Sequence, residues 1–389
     1  MNHEGKRKIF SGMQVLLGQQ WIHDQAVVVE GTTIQAIIPA VMVKHHLPAI
    51  HYTFPADFYL IPGLIDLHIH GAGGKDVMDA EPLALITISK MLAEEGVTGF
   101  LATTMTSSNE QIEAALHTVR HSKDDELAAA VLGVHLEGPF ISVDKRGAQS
   151  DRHVKAPDPA LIKHWQTMAD GAIKMVTLAP ELTNAESLIK TLREANVIAA
   201  CGHTNATYAE TMAAIDAGVR YATHLFNAMR GLQQREPGAT GALLLAKEVM
   251  AELIVDGCHL HPAMIELAYR LKGRDRLVLV SDAMRAKCCG DGEYDLGGDA
   301  VFVKTGRAAR QDGTLAGSVL RLPDAIKNIV QYSSCTLMDA VQMASFNPAR
   351  LLSLDRRKGS IEIGKDADLV ILNAALEVQL TMREGRKIY

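Results

Sequence analysis

Aromatic residues are scarce in this 389-residue chain, at 5%, and only two of them are tryptophans. Basic clusters are also missing, with nothing longer than Lys6-Arg7-Lys8, and the formal net charge is −6 from 39 Lys and Arg against 45 Asp and Glu. Nucleic-acid binders neutralise phosphates with a positive face, so this deficit excludes that class and speaks against an anionic membrane surface. No apolar run approaches the roughly 18–20 residues of a membrane span, and Met1-Asn2-His3-Glu4-Gly5 lacks the charged-then-apolar order of a secretory signal. The five cysteines, Cys201, Cys258, Cys288, Cys289 and Cys335, are an odd number without a Cys-x-x-Cys pair, which fits a reduced chain better than a disulfide framework. A cytoplasmic globular protein is the expectation. Histidine, in contrast, is abundant: 16 residues against 8 Phe and 8 Tyr.

One domain usually spans about 100–200 residues and α/β barrels extend to about 250, so the length suits one large unit and a smaller one. Residues 7–60 read as short strands and turns, including QAVVVE at 25–30 followed by Gly31. Beyond them, apolar runs of strand length alternate with helical stretches. The runs are 64–70, 97–103, 131–137, 173–178, 197–203, 221–225, 252–256 and 276–282. The stretches 83–93 and 185–195 carry helix-period apolar spacing, and Gly96 and Gly218 stand where helix C-terminal caps belong. Strands that are apolar throughout and alternate with helices indicate a parallel sheet buried on both faces. Eight such units predict an α/β fold, a (β/α)8 TIM barrel over 59–349. Two further helices are expected at 323–333 and 337–346. Residues 359–373 return to strands and turns, so 1–58 plus 350–389 are expected to form a small β-sandwich domain from both chain ends.

Active sites of such barrels lie at the C-terminal ends of the strands. There the runs end in His68 and His70, Glu137, His203, His224 and Asp282. His68 and His70 are two apart on a strand, so both point to the same face. Four imidazoles and two carboxylates at one mouth suit zinc, and also iron, cobalt or nickel. His259, in the loop after strand seven, is positioned for substrate contact, while His135, His261 and Asp256 are candidates to support the ligands from behind. His45, His46, His51, His117, His121, His153 and His164 fall in expected loops or helix faces and are read as surface residues.

The segment PGLIDLHIHG at 62–71 resembles the first-strand signature of the amidohydrolase superfamily, and GSIEIGKDAD at 359–368 resembles its C-terminal closure. Ordered blocks extend the likeness to the N-acetylglucosamine-6-phosphate deacetylase family: HLEGPF at 135–140, TLAPE at 177–181, GHTNA at 202–206, THLFNAM at 223–229, REPG at 235–238, DAMRAK at 282–287 and GTLAGS at 313–318. The resemblance implies a divalent metal, one or two per subunit, with zinc first and iron, cobalt, nickel, manganese or cadmium as alternatives. It makes Glu137, His203 and His224 ligands of one metal, with Glu137 bridging to a second held by His68 and His70. Many relatives bridge with a carbamylated lysine after strand four; Leu178-Ala179-Pro180 stands there instead.

The resemblance further implies that the substrate is a small amino-sugar phosphate, contacted by Ala148, Asn227, Ala228, Arg235, His259 and the loop Leu315-Ala316-Gly317. Arg235 suits the phosphate, since guanidinium offers paired donors and permanent charge. In the family it reaches the neighbouring subunit's site, which implies a homodimer. Asp282 is expected as general base and metal ligand, and His259 as the group that stabilises the oxyanion. The expected reaction is hydrolytic removal of an acetyl group. Its rivals are the galactosamine epimer, a cyclic-amide hydrolysis, and a scaffold that lost its chemistry; the intact ligand set argues against the last. Cys288-Cys289 departs from the family, which usually carries glycine there, and this loop is expected to be flexible.

Overall fold

The computed structural model describes residues 7–45, 48–122 and 125–389. The segment 1–5, Lys6 and His46, discussed above from sequence, lie outside the described residues, as does the side chain of His45.

Eight parallel strands form one sheet in strictly sequential order: β1 (Leu64–Ile69), β2 (Val97–Thr104), β3 (Ala130–Glu137), β4 (Ile173–Leu178), β5 (Ile198–Cys201), β6 (Tyr221–Ala222), β7 (Met250–Leu253) and β8 (Leu277–Leu279). The sheet closes just beyond β8, where the Asp282 N–H donates to the His68 carbonyl at 2.8 Å and the His70 N–H to the Ala283 carbonyl at 2.9 Å. β1 and β2 are buried at every position, which is why they read as continuous apolar text. The TIM barrel expected from the alternating pattern is therefore present.

Between the strands, helix Pro82–Ala93 ends three residues before Gly96, whose φ is 78°, and helix Tyr208–Ala217 is capped by Gly218 at φ 139°. Its other end is closed by a reciprocal pair, the Thr207 hydroxyl on the Glu210 N–H and the Glu210 carboxylate on the Thr207 N–H. The helix expected at 337–346 is two, Leu337–Ala344 and Phe346–Leu351. Ser345 breaks it at φ −138° because its hydroxyl donates to the Gly63 carbonyl at 2.7 Å, pinning the entry to β1. Pro348 has no N–H to donate back across that break, so the helix restarts there without losing a bond.

A four-stranded sheet (Thr33–Pro39, Gln25–Glu30, Lys8–Ser11, Ile50–Thr53, in spatial order) faces a six-stranded one. In the latter, Tyr59–Pro62 lies between Leu369–Leu372 and Gln14–Leu17, so strands from both ends of the chain share one sheet. Phe10, Val27, Val29, Leu60, Leu369, Ile371 and Met382 pack together between the sheets. A three-stranded antiparallel sheet, Gly292–Leu296, Asp299–Lys304 and Arg307–Ala309, follows β8 and was absent from the sequence reading. It lays Leu296, Val301 and Val303 over Met105 and Met284 at the barrel mouth.

Candidate active site

The strands that carry the polar residues end earlier than their apolar runs. β5, β6 and β8 stop at Cys201, Ala222 and Leu279, and His203, His224 and Asp282 follow at φ 47°, 30° and 47°. Left-handed backbone is costly for residues with a Cβ and least so for Asn, Asp and His. Leaving the sheet this way aims the three side chains inward over the barrel instead of along its wall.

There they meet residues from β1 and β3. His203 Nε2 and His224 Nε2 lie 3.0 and 3.1 Å from Glu137 Oε1 and 3.0 Å from each other. His68 Nε2 and His70 Nε2 are 3.3 Å apart, and Asp282 Oδ1 is 3.3 and 3.2 Å from them. Glu137 joins the groups, because its Oε2 is also 3.3 Å from His70 Nε2. All six residues are buried.

The far side of each ring shows what the near side is for. Nδ1 of His68 faces Glu252 Oε2 at 3.0 Å, Nδ1 of His70 the Thr103 carbonyl at 3.2 Å, and Nδ1 of His203 the Lys145 carbonyl at 2.9 Å. Each acceptor keeps the ring proton on Nδ1, so Nε2 presents a lone pair to the cluster. Lone pairs and carboxylates converging on one buried point fit a divalent cation; of three sets of three among the described residues within reach of one, Glu137, His203, His224 and His68, His70, Asp282 meet at Glu137, while His68, His135, Glu252 lies behind the His68 ring. Burial lowers the pKa of His68 and His70, but Asp282 and Glu137 raise it above the usual value, so with no cation bound the rings take up protons and carry the positive charge themselves. Burial disfavours the Asp282 anion, yet His68 and then His70 outweigh it and hold the carboxyl at about 2. Burial likewise opposes ionisation of Glu137, and the imidazoles of His68 and His203 overcome it.

Above the cluster opens a cavity of about 250 Å³, lined by His70, Glu137, His203, His224 and Asp282 at its floor and by Ala148, Asn227, Ala228, His259, Leu315 and Gly317 on its walls. His259 Nδ1 pairs with Asp256 Oδ2 at 2.7 Å. Burial lowers the His259 pKa, but the Asp256 hydrogen bond and charge raise it further, so the net shift is upward. Asp256 thus supports His259. Ala316 packs away from the cavity against Met284 and Val301, and Arg235 is exposed and does not line it. His261 caps helix Pro262–Lys272 from an exposed position and takes no part in the cluster, which corrects its reading as a supporting group. His135 is buried beneath His68, its Nε2 2.7 Å from the Thr177 hydroxyl. His51, His117, His121 and His164 are exposed and His153 half-buried.

Glu252 and Gln149 are additions to the sequence reading. Gln149 is buried, its side-chain amide donating to Glu137 Oε2 and its carbonyl accepting from the Thr106 N–H at 2.7 Å. Glu252 had a signal, a charge in an apolar strand; Gln149 had none. At Cys288 the backbone takes φ 66°, the conformation glycine adopts freely. The adjacent Lys287 is fully buried and pairs with Glu95 at 2.8 Å. A larger groove of about 760 Å³ at the opposite end of the barrel contains no histidine, and its Lys272 binds the Leu243 and Ala246 carbonyls at the end of helix Gly238–Leu245.

Residues 59–388 match the Amidohydrolase family. The N-acetylglucosamine-6-phosphate deacetylase of Bacillus subtilis (strain 168) is 44% identical over 335 residues, 85% of either chain. That of Vibrio furnissii is 37% identical over 390 residues, spanning 100% of this chain and 97% of its own. Among solved structures, an aspartate-to-alanine mutant of N-acetyl-D-glucosamine-6-phosphate deacetylase from Mycobacterium smegmatis, in complex with N-acetyl-D-glucosamine-6-phosphate, has a TM-score of 0.92 at 32% identity. It covers 99% of this chain and 100% of that one.

Proposed function

This chain belongs to the amidohydrolase family, and on that premise we propose that it hydrolyses N-acetyl-D-glucosamine 6-phosphate to D-glucosamine 6-phosphate and acetate. The observation that carries the reading is the meeting of two ligand triplets, through Glu137, on the floor of a cavity that also holds His259. Enzymes of this family typically depend on a metal, and the chain has ligand groups for one. We assign Glu137, His203 and His224 to one divalent ion and His68, His70 and Asp282, with Glu137 between, to a second, zinc being the first choice. Such an ion supplies Lewis acidity, which polarises a carbonyl and lowers the pKa of water from about 15.7 to near 7.

The chain's own groups carry the rest. An amide resists hydrolysis because its carbonyl is a weak electrophile and its amine a poor leaving group. Asp282, ionised, accepts the proton of the attacking water at Oδ and later delivers it to the departing nitrogen, so the proton account closes on one residue. His259, whose pKa the Asp256 hydrogen bond and charge raise against burial, donates in its protonated form to the acetyl oxygen as charge develops there. Asn227, Ala228, Ala148 and Leu315 bound the sugar. Arg235, exposed outside its own cavity, is assigned to the phosphate in a neighbouring subunit of a homodimer. No helix among the described residues is long and apolar enough to cross a membrane, and we place the protein in the cytoplasm. We further divide the chain into a barrel, 59–349, and a β-sandwich domain, 1–58 plus 350–389, although the strand Tyr59–Pro62 at that boundary pairs within the sandwich sheet.

The test is acetate release from the glucosamine and galactosamine 6-phosphate substrates, paired with elemental analysis. Turnover is expected on the glucosamine compound and its loss on chelation; no acetate from it overturns the proposal, and faster turnover of the epimer reassigns the substrate.

A further inference from the structure

Glu252 is a carboxylate in a place that disfavours one. β7 is buried at all four positions, and Glu252 is 0% exposed. A buried anion needs a partner, yet no lysine or arginine among the described residues pairs with it. Its only ion-pair partner there is His68. The same oxygen, Oε2, accepts from His68 Nδ1 at 3.0 Å and from the His224 backbone N–H at 2.9 Å. One atom therefore reaches a residue of each ligand triplet. It holds the ring of His68, and it holds the backbone of His224 where φ is 30°. Asp66, one layer below, accepts from the His68 and Ser281 backbone N–H groups at 3.2 and 3.3 Å, so the strand beneath the ring is fixed too.

We propose that Glu252 is a positioning residue for both halves of the metal centre: it locks His68 with Nδ1 protonated and Nε2 free, and it holds His224 in its left-handed turn. The proposal rests on the metal-dependent reading above. Partners that orient metal-bound imidazoles are typically worth about 10–100-fold in affinity.

Glu252→Gln and Glu252→Met separate the terms. Glutamine can offer an oxygen to both donors without the charge, whereas methionine fills the volume and accepts almost nothing. Zinc-free protein is titrated with zinc, and circular dichroism checks the fold. Glu252→Met should bind at least about tenfold more weakly, Glu252→Gln should stay within a few-fold of the unaltered chain, and adding His68→Ala to Glu252→Met should cost less than the two losses combined. Folded Glu252→Met that binds zinc at full strength overturns the proposal, as does glutamine failing to rescue. If methionine prevents folding, the ¹⁵N spectrum of the zinc-loaded unaltered chain decides: His68 should carry its proton on Nδ1, and an Nε2–H ring overturns the assignment. An unaltered chain that takes up no zinc overturns the metal reading and this inference together, whereas zinc uptake unaffected by Glu252→Met overturns the inference alone.

Discussion

Asp282 is proposed to do two things from one position, hold a cation and move a proton, and its backbone takes φ 47° there. Asp282→Asn preserves the shape and removes the base, so kcat for deacetylation should fall by about 10²–10⁴-fold with the fold unchanged by circular dichroism. Near-normal turnover would remove Asp282 from the mechanism. His259 makes a pH-dependent case. Its pKa is raised above the usual 6.5: burial pulls it down, and Asp256 more than restores it. A group acting in its protonated form with a raised pKa keeps working below that pKa and loses activity as pH climbs through it. Asp256→Asn removes the raising partner, so the alkaline limb of kcat should move to lower pH; an unmoved limb would mean that His259 does not act as an acid. The two roles differ in how visible they were in the sequence. His68 and His70 declared themselves through a spacing of two on an apolar strand, whereas Gln149 is an ordinary amide in a loop, and only its closeness to Glu137 and Thr106 gives it meaning.

At the scale of elements, Asp339 shows how the helices behind β8 are tied. It closes the N-terminus of helix Leu337–Ala344 with Thr336, accepts from the Tyr269 hydroxyl at 2.9 Å, and pairs with Arg274 at 3.0 Å. Burial raises its pKa, but the Thr336, Arg274 and Tyr269 hydrogen bonds lower it more, so the net shift is downward. A depressed carboxylate stabilises the fold above its unfolded pKa, near 3.9, and loses that contribution as pH falls through the folded value. Asp339→Asn should therefore cost about 1–3 kcal/mol in urea unfolding at neutral pH, with the gap to the unaltered chain closing below about pH 4; a pH-independent gap would assign the effect to packing. Apolar runs bounded by turns made the eight barrel strands legible. Their ends were not, because His203, His224 and Asp282 leave the sheet through left-handed backbone that no periodicity records. The sheet over the mouth was missed although DAVFVK at 299–304 alternates: its inward Val301 and Val303 need a surface, and that surface is Met105 and Met284 from distant strands.

At the scale of the whole molecule, a cation bound only by the folded state should contribute to global stability. Ligand at 100 times its dissociation constant adds about 2.7 kcal/mol, so chelation should lower the thermal midpoint by a few degrees, and the same treatment should barely move Glu137→Ala. Equal shifts in both would show that the chelator acts elsewhere. The pairing of Tyr59–Pro62 with Leu369–Leu372 has a temporal consequence. The strand that leads directly into His68 receives that neighbour only after roughly 310 further residues have been made, about 15–60 s at ordinary rates of synthesis. For that interval the growing polypeptide already holds all six proposed metal ligands in a barrel that can close through Asp282 and Ala283, while the strand that feeds it lacks its sandwich neighbour, and a stall late in translation would release a closed barrel beside an unfinished sandwich sheet.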